Sequence, residues 1–206
     1  MLIQSFIHFI PENRFTVPIL WDKKLHTIVN NESSEIIRIF NTAFNEFLPA
    51  EKAEITYYPE ALRKEIDEIN EWVYPTINSK TLPIIYILVA NTLDISDGVY
   101  RSGFATTQEA YEQAVRALFD SLDKTEKILA GKDYLVGNRL TEADIRLFVT
   151  IVSNSDFEES QLTFSPQIRF DPVYVGHFKC NIRTIRDGYP AIHKSVLFVH
   201  DTLIAA

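Results

Sequence analysis

The 206-residue chain has the composition of an ordinary globular protein, with 46% hydrophobic and 23% charged residues. Its formal net charge of −8 argues against nucleic acid or an anionic membrane as the main partner. The single cysteine, Cys180, excludes an intrachain disulfide framework and favours a reducing, cytoplasmic compartment. The N-terminal stretch lacks the basic segment of a signal peptide, and the longest apolar run, residues 82–93, is shorter than the about 20 residues that cross a bilayer.

Two short β-type runs near the start of the chain predict a hairpin. They cover residues 16–21 and 27–30 and are joined by residues 22–26. Pro18 lies inside the first run, which requires an edge position, a strand start or a cis bond. A helix is predicted to follow, with Ser33 or Ser34 as its cap and with apolar residues at helical spacing as far as Phe47.

After a linker predicted at residues 49–59, the apolar spacing predicts helices only. The first begins near the end of the linker, and Pro75 should kink or end it. The second begins at a capping box that Thr106 and Glu109 would form, and it buries one face between residues 111 and 129.

A third long helix is predicted after Pro172, with Phe178, Ile182 and Ile185 on one side, and the last helix begins at Pro190. Cys180 and His177 would share a face of the third helix, since they are three residues apart. An activated thiolate or half of a metal site is one interpretation of this pair. An inert core cysteine is the other, and it is the more common role of a lone cysteine on an apolar helix.

The stretch 134–148 contains the most strongly specified helix start in the chain. Thr141 is placed as a cap, and Asp144 can accept the backbone N–H of Thr141 with the spacing of a capping box. The apolar residues that follow recur at helical spacing and predict one buried face: Ile145, Phe148, Val149 and Val152. We therefore interpret Thr141 and Asp144 as structural capping residues and not as catalytic ones.

Three motifs together resemble one family. They are Leu-Thr-Glu-Ala-Asp-Ile at 140–145, Tyr-Arg-Ser-Gly-Phe-Ala-Thr-Thr-Gln-Glu-Ala-Tyr at 100–111, and Arg-Phe-Asp-Pro-Val-Tyr-Val-Gly-His-Phe-Lys-Cys-Asn at 169–181. They resemble the glutathionyl-hydroquinone reductases, the Xi-type branch of the cytosolic glutathione transferases. The resemblance implies a mostly α fold. In it, an all-α glutathione-transferase C-terminal domain at 49–206 follows a partial thioredoxin-like region, a β-hairpin plus a helix, at 1–48.

The same resemblance implies two groups of site residues. Val17, Pro18, Glu32 and Ser33 would bind glutathione, and the hydroxyl groups of Tyr100 and Tyr174 would hydrogen-bond the quinol oxygen. The physical chemistry of the first group agrees, because a helix N-terminus favours a carboxylate and Glu32 can pair with an ammonium group. The alternatives are an ordinary capped helix with an acidic first turn and two part-buried tyrosines of a helical bundle.

By resemblance, the activity is glutathione-dependent reduction of glutathionyl-hydroquinones, with glutathione as co-substrate, no metal, and commonly a homodimer. The family nucleophile is a cysteine in a Cys-Pro-Trp motif, and the printed chain contains no Cys-Pro. We therefore expect little reductase turnover from this chain. A non-catalytic interaction module of the glutathione-transferase type is the alternative function.

Three stretches depart from the family pattern: residues 79–97, 152–167 and 195–206. One hypothesis is that they are translated intron sequence or a faulty gene model, which would make the chain a fragment. The other is that they are genuine lineage-specific loops.

Overall fold

The computed structural model describes residues 18–78, 98–153 and 167–205. The chain divides into two compact units. We call the part that ends at Thr56 the hairpin unit and the part that begins at Tyr57 the helical unit. In the described ranges, no helix combines the length and the apolar composition that crossing a bilayer requires.

The hairpin unit contains an antiparallel strand pair followed by short helices. Strand β1 is Leu20–Asp22 and β2 is Thr27–Asn30, with Trp21 opposite Ile28. Helix α1 is Ser33–Thr42, a 3-10 turn covers Asn45–Phe47, and α2 is Ala50–Ala53. The predicted hairpin is confirmed, and its second strand has the predicted bounds.

Asp22 organises the hairpin turn. One of its carboxylate oxygens accepts the backbone N–H groups of Lys24 and Leu25, at 2.7 and 2.8 Å. His26 then has a left-handed backbone, with φ of 51°, which reverses the chain into β2. An aspartate that bonds the backbone two residues later is a common way to start a turn, because its short side chain substitutes for a backbone acceptor.

The predicted serine cap of α1 is wrong. Glu32 precedes the helix in an extended conformation, no side chain caps the first turn, and Ser33 is already the first helical residue. The start of the helix is organised by Asn30, whose side-chain oxygen accepts the Glu32 N–H at 2.7 Å and whose amide nitrogen donates to Glu35. The helix thus begins one residue earlier than a serine cap requires.

The helical unit consists of helices with one very short strand pair. After a 3-10 turn at Glu60–Leu62, α3 is Arg63–Val73 and continues as a π-helix at Tyr74–Asn78. Helix α4 is Gly98–Phe104, α5 is Gln108–Leu129, and α6 is Glu142–Ile151. A second π-helix is Phe170–Val175, α7 is Ile185–Gly188, and α8 is Pro190–Ala205. The fold class is as predicted, mostly α with a bundle after a hairpin-plus-helix region.

One apolar core joins these helices. Helix α5 packs against α4 and α8, and α6 packs against α3 and α8. Each of the longer helices contributes fully buried side chains to the core, among them Ile66, Leu118, Leu122, Leu129, Leu147, Ile151 and Ile192. Glu126 of α5 ties α5 to α8, because its carboxylate accepts the N–H groups of Ala191 and Ile192 at 2.8 and 2.9 Å. A carboxylate at a helix N-terminus is favoured by the helix dipole as well as by these hydrogen bonds.

Two helix predictions need correction, and a third is confirmed. The cap of α5 is Thr107 and not Thr106, because the hydroxyl oxygen of Thr107 accepts the Ala110 N–H at 3.2 Å. In α6, Val149 is 56% exposed, and Leu147 and Ile151 form much of the core face in its place. The predicted end of α3 near Pro75 is confirmed, since the α-helix stops at Val73.

The long helix predicted after Pro172 is absent from the described residues 167–184. The chain is π-helical only at Phe170–Val175, and it leaves helical geometry at Lys179, where φ is 59°. Ile182, predicted to face the core, is 50% exposed. Apolar spacing over this stretch reflects an aromatic cluster and a turn, described below, and not a helix face.

The structure describes one of the three stretches that depart from the family pattern almost completely and the other two only at their borders or not at all. Residues 79–97 and 154–166 lie outside the described part of the chain. At the borders of the second stretch, β3 (Val152–Ser153) pairs with β4 (Gln167–Ile168). The third stretch forms most of α8, and its Val196 and Val199 are buried in the core. That these stretches are translated intron sequence or a faulty gene model stays a prediction.

The start of α6 is a buried polar centre. One oxygen of Asp144 accepts the N–H of Leu135 at 2.7 Å, and the other accepts both the N–H and the hydroxyl of Thr141 at 2.9 Å. Burial raises the pKa of Asp144, against the opposing effect of these hydrogen bonds. Gly137, whose φ is 62°, supplies the left-handed turn that brings this loop back to the helix.

Asp144→Asn is expected to lower the free energy of unfolding by about 3 kcal/mol. The amide directs an NH₂ group at a buried donor, so the N–H of Leu135 or Thr141 loses its acceptor. Urea unfolding followed by circular dichroism measures the change.

Asp187→Asn is the matched control, because Thr184 and Asp187 repeat the same spacing at an exposed helix start, with the Thr184 hydroxyl 3.0 Å from Asp187. This variant should lose about 0.5 kcal/mol, since water replaces the lost contact. Equal losses in the two variants would contradict the assignment of Asp144 as a buried structural centre.

Candidate functional site

Two tyrosines from separate elements meet inside the helical unit. Tyr100 lies on α4 and Tyr174 on the π-helix Phe170–Val175. Their hydroxyl oxygens are 3.4 Å apart, a distance at which either can be the donor. Their rings meet edge to face, with centroids 5.7 Å apart. The helical unit thus brings together two residues that are 74 positions apart in the sequence.

The environment keeps Tyr174 protonated. Its side chain is buried, and burial is the main reason that its pKa is raised, followed by the neighbouring Tyr100. Arg169 opposes this shift, and its guanidinium carbon lies 5.3 Å from the centroid of the Tyr174 ring. A protonated phenol donates a hydrogen bond, so this hydroxyl pair is suited to an oxygen atom that gains negative charge.

Three phenylalanines surround the two tyrosines. The centroid of Phe178 is 4.9 Å from that of Tyr100 and 5.6 Å from that of Tyr174, and both pairs have edge-to-face geometry. Phe104 stacks on Tyr100 at 6.4 Å, and Phe170 meets Tyr174 at 5.7 Å. We call these five residues the aromatic cluster. Edge-to-face aromatic pairs are worth about 0.5–1.5 kcal/mol each beyond burial, so the cluster is a rigid support for the hydroxyl pair.

Sequence reasoning missed part of this cluster, although a signal was available. Phe104 follows Tyr100 by four residues, and Phe170 and Phe178 lie four residues on either side of Tyr174. Aromatic residues at this spacing meet on one face of a helix or of a helical turn. The apolar spacing predicts Phe178 on one side of a long helix, and that pattern does not reveal its contacts with Tyr100 and Tyr174.

Cys180 has the environment of an inert thiol. It is fully buried, its Sγ donates to the carbonyl of Val99 at 3.5 Å, and burial raises its pKa to about 12. The predicted helical face shared by Cys180 and His177 is wrong, because Lys179 breaks the helical geometry between them and His177 is exposed. No group of three or more metal-binding side chains lies within residues 18–78, 98–153 and 167–205.

The residues expected to bind glutathione belong to the hairpin unit. Val17 lies outside the described residues, and Pro18 is exposed. Glu32 is exposed immediately before α1, and Ser33 is half-buried as the first residue of that helix. The N–H groups of Glu35 and Ile36 bond the carbonyl of Glu32 at 3.1 and 2.9 Å, as in a regular first helical turn. This group and the tyrosine pair belong to different units of the chain.

Comparisons with known proteins agree with this architecture. Residues 108–153 match the family model described as the glutathione S-transferase C-terminal domain. The glutathionyl-hydroquinone reductase PcpF of Sphingobium chlorophenolicum is 50% identical over 185 residues, which are 89% of this chain and 46% of that protein.

Two solved structures are also similar. Glutathione transferase Xi 1 from Trametes versicolor shares 62% identity over 91% of this chain and 52% of that one, with a TM-score of 0.71. The glutathione-bound structure of YqjG, a glutathione transferase homologue from Escherichia coli K-12, shares 44% identity over 97% of this chain and 53% of that one, with a TM-score of 0.72.

The chain spans about half the length of the curated relatives that it matches, with 48%, 46% and 46% of three of them covered. The similarity extends over about nine-tenths of this chain, at 88–90% in the same three comparisons. The identity, the matching family model and the shared fold lead to one conclusion: the chain belongs to the glutathione transferase superfamily, as a homologue of its Xi class and of the glutathionyl-hydroquinone reductases.

Proposed function

We propose that this chain carries the glutathione-binding and quinol-binding residues of a glutathionyl-hydroquinone reductase. The observation that carries the proposal is the hydroxyl pair of Tyr100 and Tyr174, 3.4 Å apart inside the aromatic cluster. The quinol part of the substrate is bound within residues 49–206, and glutathione is bound within residues 1–48. The names of the relatives support both halves, since PcpF is called a glutathionyl-hydroquinone reductase and YqjG was solved with glutathione bound.

The quinol oxygen is held by the two phenols. When the bond between sulfur and the quinol carbon breaks, electron density moves into the quinol ring and onto its oxygen. Phenol donors fixed beforehand stabilise that charge without reorganising. The rings of Tyr100 and Phe178 supply apolar surface for the quinol ring, and Arg169 adds a positive charge next to Tyr174.

Glutathione is held at the start of α1. By the family resemblance, Val17, which lies outside the described residues, and Pro18 bind the cysteinyl part of glutathione. Ser33 holds the γ-glutamyl carboxylate at the N-terminus of α1, and Glu32 pairs with the ammonium group. The positive end of the helix dipole favours a carboxylate at this position, and Glu32 is exposed immediately before the helix.

The reaction requires a cysteine thiolate. The thiolate attacks the glutathionyl sulfur, a disulfide forms, and the carbon–sulfur bond breaks as the quinol carbon takes a proton. A second glutathione then attacks the mixed disulfide, which releases oxidised glutathione and restores the thiolate. Cys180, the one cysteine of the printed chain, is buried with a pKa of about 12, so it is not this nucleophile.

Tyr100→Phe and Tyr174→Phe are each expected to weaken binding of a glutathionyl-hydroquinone by roughly 3–10-fold, because each removes one hydrogen bond to the quinol oxygen. Isothermal titration calorimetry on the full chain measures the dissociation constant.

Tyr134→Phe is the matched control for these variants, because Tyr134 meets Phe198 edge to face and does not belong to the aromatic cluster. It should leave the affinity unchanged. If Tyr100→Phe and Tyr174→Phe bind the glutathionyl-hydroquinone as tightly as Tyr134→Phe does, and all three variants have the wild-type melting temperature, the quinol-site proposal is contradicted. Stable capture of a protein partner with no binding of either ligand would support the interaction-module function instead.

Glu32→Gln is expected to weaken binding of glutathione alone by roughly 2–5-fold, and by more at low ionic strength, because an exposed ion pair is screened by salt. Glu46→Gln, another exposed carboxylate of the hairpin unit, is the control and should have no effect. Calorimetric titrations at two salt concentrations test this, and equal effects of the two variants would argue against a specific role for Glu32.

Cys180→Ser should leave the rate of glutathione-dependent hydroquinone release unchanged, at a level close to the uncatalysed rate in both proteins. The physical reason is that a buried thiol with a raised pKa is almost entirely protonated at neutral pH. A wild-type rate well above background that disappears in Cys180→Ser would show that Cys180 is the nucleophile after all.

A further inference from the structure

A glycine next to the aromatic cluster allows a very close approach between two segments. Gly103 lies on α4, three residues after Tyr100. A methyl group added at Gly103 would lie 2.4 Å from Cδ1 of Phe178 and 3.0 Å from both its Cα and its Cβ. Because one of these atoms is backbone, rotation of the Phe178 ring alone cannot relieve the contact. Any side chain at residue 103 therefore displaces the segment around Phe178.

Residue 103 must be glycine because Phe178 leaves no space for a side chain there, and not because of its backbone conformation. Within the described residues, the glycines with left-handed backbones are Gly131 and Gly137, and Gly103 is not among them. Gly176, close to Phe178 in the sequence, has no atom within 4 Å of an added methyl group. Gly103 and Gly176 therefore differ in what a methyl group would meet, which makes them a matched pair for substitution.

The segment that carries Phe178 is fixed on its other sides. The N–H groups of Phe178 and Cys180 both donate to the carbonyl of Tyr174, at 3.2 and 3.0 Å. Tyr111 of α5 donates its hydroxyl to the carbonyl of Lys179 at 3.0 Å. These contacts hold the turn against α5 and against the second π-helix.

The Phe178 ring itself contacts Tyr100, Tyr174 and Phe104, with centroid distances of 4.9, 5.6 and 5.7 Å. A displacement of Phe178 is therefore passed to the rings that carry the two hydroxyl groups. The position of Phe178 and the separation of the hydroxyl groups of Tyr100 and Tyr174 are mechanically linked.

We propose that Gly103 and Phe178 are positioning residues that set the geometry of the Tyr100–Tyr174 hydroxyl pair, and through it the selectivity of the site for a free quinol hydroxyl. The inference rests on the proposed function, because it takes the quinol oxygen as the group that the pair recognises. Neither residue needs to contact the oxygen. The space left by Gly103 admits Phe178, and the Phe178 ring supports both tyrosine rings.

The test compares two probes on the full chain: the glutathione conjugate of benzohydroquinone and the ether in which its hydroxyl groups are methylated. The wild-type chain should bind the hydroquinone conjugate roughly 10-fold more tightly than the ether, because the methyl groups of the ether occupy the space in which the two phenol donors approach the quinol oxygen. Gly103→Ala should reduce this 10-fold preference for the hydroquinone conjugate to about 2-fold or less, whereas Gly176→Ala should retain it.

A double-mutant cycle tests whether Gly103 acts through Phe178. Phe178→Leu introduces no clash at Gly103, so it keeps the test decisive if Gly103→Ala fails to fold. Phe178→Leu should also reduce the preference for the hydroquinone conjugate over the ether. Adding Gly103→Ala to Phe178→Leu should then change this preference little further, since the two substitutions act on one contact.

The outcomes separate this inference from the function on which it rests. No preference for the hydroquinone conjugate in the wild-type chain would overturn the proposed function itself. A wild-type preference that is lost in Tyr174→Phe but kept in Phe178→Leu and in any folded Gly103→Ala would overturn only the positioning role. An equal effect of Gly103→Ala in the wild-type and Phe178→Leu backgrounds would overturn it as well, because Gly103 would then act independently of Phe178.

Discussion

The buried carboxylate of Asp144 is the interaction on which the helical unit most depends. It accepts three hydrogen bonds from the loop that precedes its own helix, two from Thr141 and one from Leu135. The loop would otherwise leave buried donors unsatisfied, at about 1–3 kcal/mol for each. By fixing the start of α6, Asp144 also sets the register of the next residues along that helix. Glu142 pairs with Arg146 at 2.8 Å and accepts from Asn70 of α3 at 3.2 Å, while Leu147 and Ile151 enter the core.

The candidate quinol site is built on the packed helices of this core. Helix α4 packs on α5, and the turn after Tyr174 is held to α5 by the Tyr111 hydroxyl. Asp171, in the same π-helix as Tyr174, accepts the N–H of Ile185 at 2.6 Å and so anchors that π-helix to α7. The two tyrosine hydroxyls are thus held by backbone elements that are themselves fixed, which is the condition for donors that do not reorganise during a reaction. Stability and the proposed chemistry therefore depend on the same helices.

Much of this architecture follows from the sequence, and the exceptions have identifiable causes. The spacing of apolar residues and the turn residues predict the hairpin and most of the helices. The spacing of Thr141 and Asp144 predicts the capping box that the structure contains. The sequence pattern places the cap of α5 one residue too early, at Thr106, because Thr106 and Thr107 are adjacent and both can cap a helix. The helix expected after Pro172 fails because residues 170–178 owe their apolar spacing to ring packing, and Lys179 then reverses the backbone. The role of Gly103 depends on a contact with a residue 75 positions away, which no local pattern contains.

The central claim is that the Tyr100–Tyr174 pair binds the quinol oxygen, and nuclear magnetic resonance of tyrosine-labelled protein tests it most directly. The full chain would be titrated with a glutathionyl-hydroquinone, with the signals of the two tyrosines assigned through their phenylalanine variants. We expect the Tyr100 and Tyr174 signals to shift together and to saturate with one dissociation constant, while the signal of Tyr58, which bonds Asp67, stays in place. Saturable shifts confined to other tyrosines, with the Tyr100 and Tyr174 signals unmoved, would contradict the account.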